Sequence, residues 1–147
     1  MAEIQLVVFK LDKEEYGVSI LQVQEIKRMT DITRVPHTPD YLKGVINLRG
    51  SILPVIDLKK RLSLHAGDYT DDTRIIIVKV EEISVGIIVD AVSEVMTLDD
   101  GSIEPPQTVV GGVSAAYIEG VGKLGDRLII LLNLEAVIGL GAEVKVG

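Results

Sequence analysis

The sequence predicts an all-β fold with short helices, arranged as two packed β-barrels that arose by internal duplication. Val and Ile together supply 38 of 147 residues, and side chains branched at Cβ, stiff at χ1, suit a pleated surface better than a helix. Aromatic residues make up only 3%, so the core is aliphatic. The second half of the chain repeats the first. Shifted by 69 residues, Gly17 to Ile26 aligns without a gap onto Gly86 to Val95; shifted by 76, Tyr41 to Leu58 aligns onto Tyr117 to Leu134. The offsets differ by seven, which places an insertion between Leu98 and Ala116.

Ile4 to Leu11 is an apolar run with partial alternation, Asp12 to Glu15 is polar, and Tyr16 to Ser19 is apolar again, reading as strand, turn, strand. Ile20 to Ile26 suits a helical turn leading into a strand that runs to Met29. Thr33 to Asp40 contains Pro36 and Pro39 and is a loop. Val45 to Leu58 holds two strand-like runs broken at Asn47-Leu48-Arg49-Gly50, and Asp57 is a good N-cap for a short helix over Leu58 to Leu62. In the second half, Thr73 to Val80 is a β-branched strand, Glu81-Glu82 a turn, and Ser84 to Ile87 a strand. The 76-residue register then repeats the strands and the N-cap, now Asn133 before Leu134. A unit of roughly 70 residues with several short strands is the size of a small barrel, in which closure removes exposed edges. The repeats span 1–70 and 71–147, and two such barrels would share one interface core. Residues 4–11 and 73–80 are interchangeable by pattern, so exchange of end strands between barrels stays open.

Fifteen Lys and Arg against 22 Asp and Glu leave a net charge of −7, with Lys59-Lys60-Arg61 the only basic run. Nucleic acid and anionic membranes need a concentrated positive face, and one Phe with four Tyr is too few for a base-stacking platform. The absence of cysteine excludes disulfides and thiolate chemistry and fits a reducing compartment. Met1 runs straight into a strand pattern, which leaves no room for a signal peptide. The longest apolar stretch, Leu128 to Gly141, is interrupted by Asn133 and Glu135 and falls short of the ~20 residues that span a bilayer. The expectation is a cytoplasmic protein without direct membrane insertion.

Catalytic chemistry finds little support. His37 and His65 form no metal-ligand spacing. Asp68 to Asp72 lacks the Gly and terminal Glu of a calcium loop and reads as a solvated inter-repeat linker. Val110 to Val113 and Gly139 to Gly141 lack the phosphate-cradling pattern and read as a flexible loop and a helix stop. The expectation is no catalytic residue, no metal and no cofactor, which shifts weight to protein binding. Arg49 is a candidate anchor, because its repeat equivalent is Gly125 and arginine suits bidentate contacts; a solvated turn arginine is the competing reading. Glu94 repeats Glu25, so a shared structural role explains both glutamates, and Val23 and Val92 read as core. A small-ligand-binding barrel and an enzyme with a diffuse carboxylate site are the other classes to be separated.

The strings Glu15 to Ile26, Pro39 to Gly50 and Ile52 to Leu58, extended by Val85 to Val92 and Leu124 to Leu131, resemble the CheW family of chemotaxis coupling proteins over roughly Ile4 to Leu140. Asn-Leu-Arg-Gly followed by an apolar strand and Asp-Leu, at this distance from Tyr-Gly, is the specific part. The resemblance implies two intertwined SH3-like five-stranded barrels without catalysis. It also implies an adaptor joining the cytoplasmic tip of a methyl-accepting chemotaxis receptor to the regulatory domain of the histidine kinase CheA. That kinase domain shares the fold; a chain starting at Met1 without an ATP-binding segment reads as the free coupling protein. Carried over residue by residue, the receptor contacts are Val23, Glu25, Arg49 and Val95, and the kinase-facing residues are Ile20 and Gly44. Two departures from the family pattern are the short tail after Gly141 and the glycine-rich Gln107 to Ser114 loop, and contacts made by a longer tail are not carried over.

Overall fold

The computed structural model describes residues 2–106, 109–110 and 112–139. In the first half, β1 (Glu3–Leu11) and β2 (Glu14–Ser19) form a hairpin, followed by β3 (Val23–Arg28), β4 (Leu42–Leu48), β5 (Ser51–Asp57) and the short helix α1 (Leu58–Arg61). The second half runs β6 (Arg74–Val80), β7 (Ile83–Val89), β8 (Ala91–Asp99), β9 (Ile103–Glu104), β10 (Val109–Val110), β11 (Val113–Ser114), β12 (Ile118–Leu124), β13 (Arg127–Leu132) and α2 (Leu134–Ile138). No helix among the described residues is long and apolar enough to cross a membrane.

The strands form two sheets, in the orders β8-β1-β2-β13-β12-β9 and β3-β6-β7-β5-β4, plus the small β10-β11 hairpin. Neighbours are antiparallel except β2 with β13 and β5 with β7, which are parallel. Each sheet curls back on itself. In the first, β8 continues through a 3-10 turn at Asp100–Ser102 into β9, which pairs with β12 at the far edge. In the second, the chain leaving β3 returns at Thr33, whose N–H donates to the Val45 carbonyl at 3.0 Å and whose carbonyl accepts from the Val45 N–H at 2.8 Å. A bent strand that serves both edges is how a short sheet closes into a barrel. The fold is all-β with two short helices and two packed sheets, consistent with two SH3-like barrels.

Each sheet draws strands from both sides of the repeat boundary near residue 70. The β1–β2 hairpin sits among β8, β9, β12 and β13, while β6–β7 sits among β3, β4 and β5. The two hairpins, which are repeat equivalents, are thus exchanged between barrels. Burial explains why their sequences are continuous apolar runs. Leu6 and Val8 face the interior of the first barrel with Met96, Leu98, Ile129 and Leu131, whereas Val7, Phe9 and Leu11 face a shared core between the barrels. In β6, Ile75 and Ile77 fill the second barrel with Ile46, Leu53, Val55 and Ile88, and Ile76, Val78 and Val80 face the shared core. A strand covered on both faces loses polar alternation.

The repeat registers hold in detail. Residues 41–58 and 117–134 each contain a strand, a turn, a strand and an N-cap: the Asp57 side chain accepts from the Lys60 N–H and the Asn133 side chain from the Ala136 N–H, 76 residues on. Both β4/β5 and β12/β13 slip register at a glycine, Gly44 and Gly120. The expected seven-residue insertion falls where β9 and the β10–β11 hairpin lie; a flexible loop over Val110 to Val113 is instead partly that hairpin, with residue 111 outside the described residues. Gly139 ends α2 in a left-handed cap, while residues 140–141 of that proposed helix stop lie outside the description.

The linker after α1 is exposed, as the solvated reading expects, and it also makes specific contacts. Asp68 to Asp72 is exposed but tethered: the Tyr69 hydroxyl donates to Asp57 Oδ2 at 2.9 Å and Lys43 Nζ stands 5.1 Å from the Tyr69 ring centre. Thr70 and Thr73 bond each other's groups, and Thr73 is buried. The anchoring aromatic sits inside an acidic run, which hides it from a reading based on charge.

Candidate partner-binding site

Asn47-Leu48-Arg49-Gly50 leads through the β4–β5 turn, whose four residues are Leu48 to Ser51. Arg49 and Gly50, its central residues, have φ of 52° and 91°, the pattern of a type I′ hairpin turn, which favours Asn, Asp or Gly because both central residues need a positive φ. The Asn47 side-chain oxygen accepts the Gly50 N–H at 2.9 Å and sets the turn. Arginine is a poor choice for a left-handed position, and the equivalent Gly125 has φ of 61° without that cost. Asp12, His37, Ser63 and Glu81 share a positive φ with Arg49, so the conformation marks a tight turn and the side-chain contact of Arg49 carries the further argument.

That side chain reaches β3. Arg49 Nη2 donates to Glu25 Oε1 at 2.8 Å, with the arginine 72% and the glutamate 31% exposed. The hydrogen bond from Arg49 holds the Glu25 carboxyl below the ordinary glutamate value, against a smaller opposing effect of burial. β3 is bulged between Val23 and Glu25, which adds local twist. Beside the pair lies an open cleft of about 270 Å³ lined by Gln24, Leu48, Arg49, Ser51, Leu53 and Ser84.

The structure joins some of the expected site residues and separates others. Glu25 and Arg49 are in contact. Val23 lies on the same strand, half-buried against the shared core and opposite Val78. Val95 lies on the other barrel, in β8 opposite Val7, and is 56% exposed. Ile20 opens a 3-10 turn over Ile20–Gln22, half-buried against the shared core. Gly44 is buried, and a Cβ there would overlap the Thr33 carbonyl oxygen at the barrel seam; its lack of a side chain serves closure. Leu21, 92% exposed, escaped the sequence reading. The signal for it is the repeat comparison, since its equivalent is the polar Asp90.

The other barrel carries a variant of the same pair. Glu94, equivalent to Glu25, accepts from Arg127 Nη2 at 2.7 Å, and Arg127 also grips both carboxylate oxygens of Glu15 at 2.7 and 3.1 Å. Each repeat glutamate therefore meets an arginine of its hairpin, at the turn in one barrel and two residues further on in the other. The barrel interiors are filled by aliphatic side chains, which weighs against a ligand held inside a barrel. His37 and His65 are exposed, and among the described residues no three His, Cys, Asp or Glu side chains cluster as metal ligands.

Residues 5–141 match the model of the CheW-like domain family. The chemotaxis protein CheW of Klebsiella aerogenes is 39% identical over 134 residues, covering 91% of this chain and 81% of the relative. That of Bacillus subtilis is 40% identical over 134 residues, covering 91% and 86%. The crystal structure of the scaffolding protein TtCheW from Thermoanaerobacter tengcongensis is similar at a TM-score of 0.86 and 43% identity, over 93% of this chain and 88% of that one.

Proposed function

The chain belongs to the CheW-like domain family, and on that premise we propose that it is a non-catalytic chemotaxis adaptor. It couples the cytoplasmic tip of a chemoreceptor to the regulatory domain of the histidine kinase CheA, working in the cytoplasm at membrane receptor arrays. The observation that carries this reading is the Glu25–Arg49 pair, an exposed ion pair that joins the β4–β5 turn to β3. Relatives bearing the names chemotaxis protein and scaffolding protein support the same class. Val23 and Val95 complete the receptor contact, one from each barrel. Ile20 and the surface around Gly44 face the kinase, with Gly44 acting through the shape of the seam.

The test is separate titration of a receptor signalling fragment and a CheA regulatory domain against wild type, Arg49→Glu, Glu25→Arg and the double swap. Each single reversal places like charges together and weakens receptor binding about tenfold, as for a central interface residue, while kinase-domain binding stays near wild type. The double swap restores the internal pair; recovery means the partner reads the pair's shape, and continued loss means it reads the individual charges. Equal losses toward both partners, with unchanged melting, refute separate surfaces.

A further inference from the structure

The basic run Lys59-Lys60-Arg61 has no part in the partner contacts proposed above, yet two of its residues reach across the barrel boundary. α1 follows β5 of one barrel and α2 follows β13 of the other. Arg61 Nε donates to the Val137 carbonyl at 2.7 Å and its Nη2 to the Ala136 carbonyl at 3.1 Å. These belong to the last turn of α2, where carbonyls lack intrahelical partners. The guanidinium also lies between two aromatic rings, 4.5 Å from the centre of Tyr41 and 5.1 Å from that of Tyr117. The tyrosines are equivalents in the 76-residue register. Each is tied to the N-cap of its own repeat, since the Tyr41 carbonyl accepts the Asp57 N–H and the Tyr117 carbonyl accepts the Asn133 N–H, both at 2.8 Å.

We infer that Arg61 is a positioning residue that fixes the relative orientation of the two barrels. The shared core is made almost wholly of aliphatic side chains, and burial of such surface is non-directional: it favours contact without selecting an angle. A planar cation with forked donors, stacked between two rings, does select one. The repeat symmetry leaves room for a single such group, and the position equivalent to Arg61 is Val137, fully buried in the shared core. Lys59 adds a second link, from Nζ to Asp12 Oδ1 at 2.9 Å and Asp90 Oδ2 at 3.0 Å, with its side chain only 10% exposed. Asp12 belongs to the β1–β2 turn of the other barrel. Under the adaptor reading, on which this consequence rests, Arg61 sets the spacing between the Glu25–Arg49 pair on one barrel and Val95 on the other.

The cysteine-free chain suits spin-label distance measurement. Labels at Ile52→Cys and Leu128→Cys, both exposed and one on each barrel, report the inter-barrel distance; labels at Ile52→Cys and Ile83→Cys report a distance within one barrel. Arg61→Ala loses the narrow inter-barrel distribution and keeps the intra-barrel one, and Arg61→Lys, which retains charge without the planar fork, broadens it less. A folded Arg61→Ala protein with the wild-type inter-barrel distribution overturns the inference. If Arg61→Ala does not fold, an unchanged distribution in Arg61→Lys overturns it instead. Broadening in Lys59→Met alone, with both Arg61 variants unchanged, also overturns it by assigning the role to Lys59. Wild type that fails to bind the receptor fragment refutes the adaptor reading and leaves the distance result standing.

Discussion

Replacing Gly44 by alanine tests whether that glycine serves the surface or the seam. A Cβ at Gly44 would overlap the Thr33 carbonyl oxygen and come within 2.7 Å of an Ile32 methyl, with φ at +154°. The first obstacle is backbone, so the Thr33 segment must move, and it holds the barrel closed through its two hydrogen bonds to Val45. Losing both costs about 2 kcal/mol, at a net ~1 kcal/mol each, and a side chain at that φ adds about 1 kcal/mol. The sum, about 3 kcal/mol, is a large fraction of an ordinary domain's stability and lowers the urea midpoint by roughly 1.5 M. Two further glycines calibrate the argument. Gly120→Ala meets the Cγ2 methyl of Ile103 at 2.7 Å and the Glu104 carbonyl oxygen at 3.1 Å; the methyl sits on a β-branched carbon that is stiff at χ1, so the overlap costs about 1–3 kcal/mol. Gly50→Ala meets nothing within 4 Å but keeps a φ of +91°, and costs about 1 kcal/mol. Urea unfolding of all three, paired with titration of the kinase domain, gives the answer. If Gly44→Ala unfolds at the same midpoint as Gly50→Ala, the seam argument is wrong, and any lost kinase binding belongs to the surface.

Arg127→Gln should flatten the acid limb of the stability curve. The hydrogen bond from Arg127 lowers the Glu15 carboxyl below 4.5, so the pair contributes stability above that value and loses it as pH falls through the folded-state value; an identical pH slope in wild type and variant, measured by urea unfolding, argues against it. Tyr69→Phe removes a hydrogen bond to the buried Asp57 carboxylate, costs about 1–2 kcal/mol and speeds proteolysis of residues 63–73; unchanged cleavage would mean that Lys43 and Thr73 hold the linker unaided. EDTA and ATP should each leave the melting temperature unmoved, since a ligand specific to the native state raises stability by mass action, and a reproducible shift with either would contradict the non-catalytic, cofactor-free reading.

What could be read along the chain was whatever depends on near neighbours. The aliphatic strands, the turn centred on Arg49 and Gly50, the N-caps at Asp57 and Asn133 and the two repeat registers all reappear at the expected residues, because strand pattern, turn chemistry and capping act over a few positions. Arg49 could be singled out through its contrast with Gly125, whereas Glu25, repeated by Glu94, reads as structural by itself and enters only through the family resemblance. Their contact could not be read, since it joins residues 24 positions apart and needs the β4–β5 turn to be aimed at β3. The hairpin exchange was likewise hidden: β1–β2 and β6–β7 share one pattern, so pairing preferences local to either hairpin are nearly the same in both barrels. Only packing separates the alternatives, by burying Val7, Phe9, Ile76 and Val78 in the core between the barrels. The same long-range assembly brings Arg61 between Tyr41 and Tyr117 and lays the Thr33 carbonyl over Gly44, contacts that no local periodicity encodes.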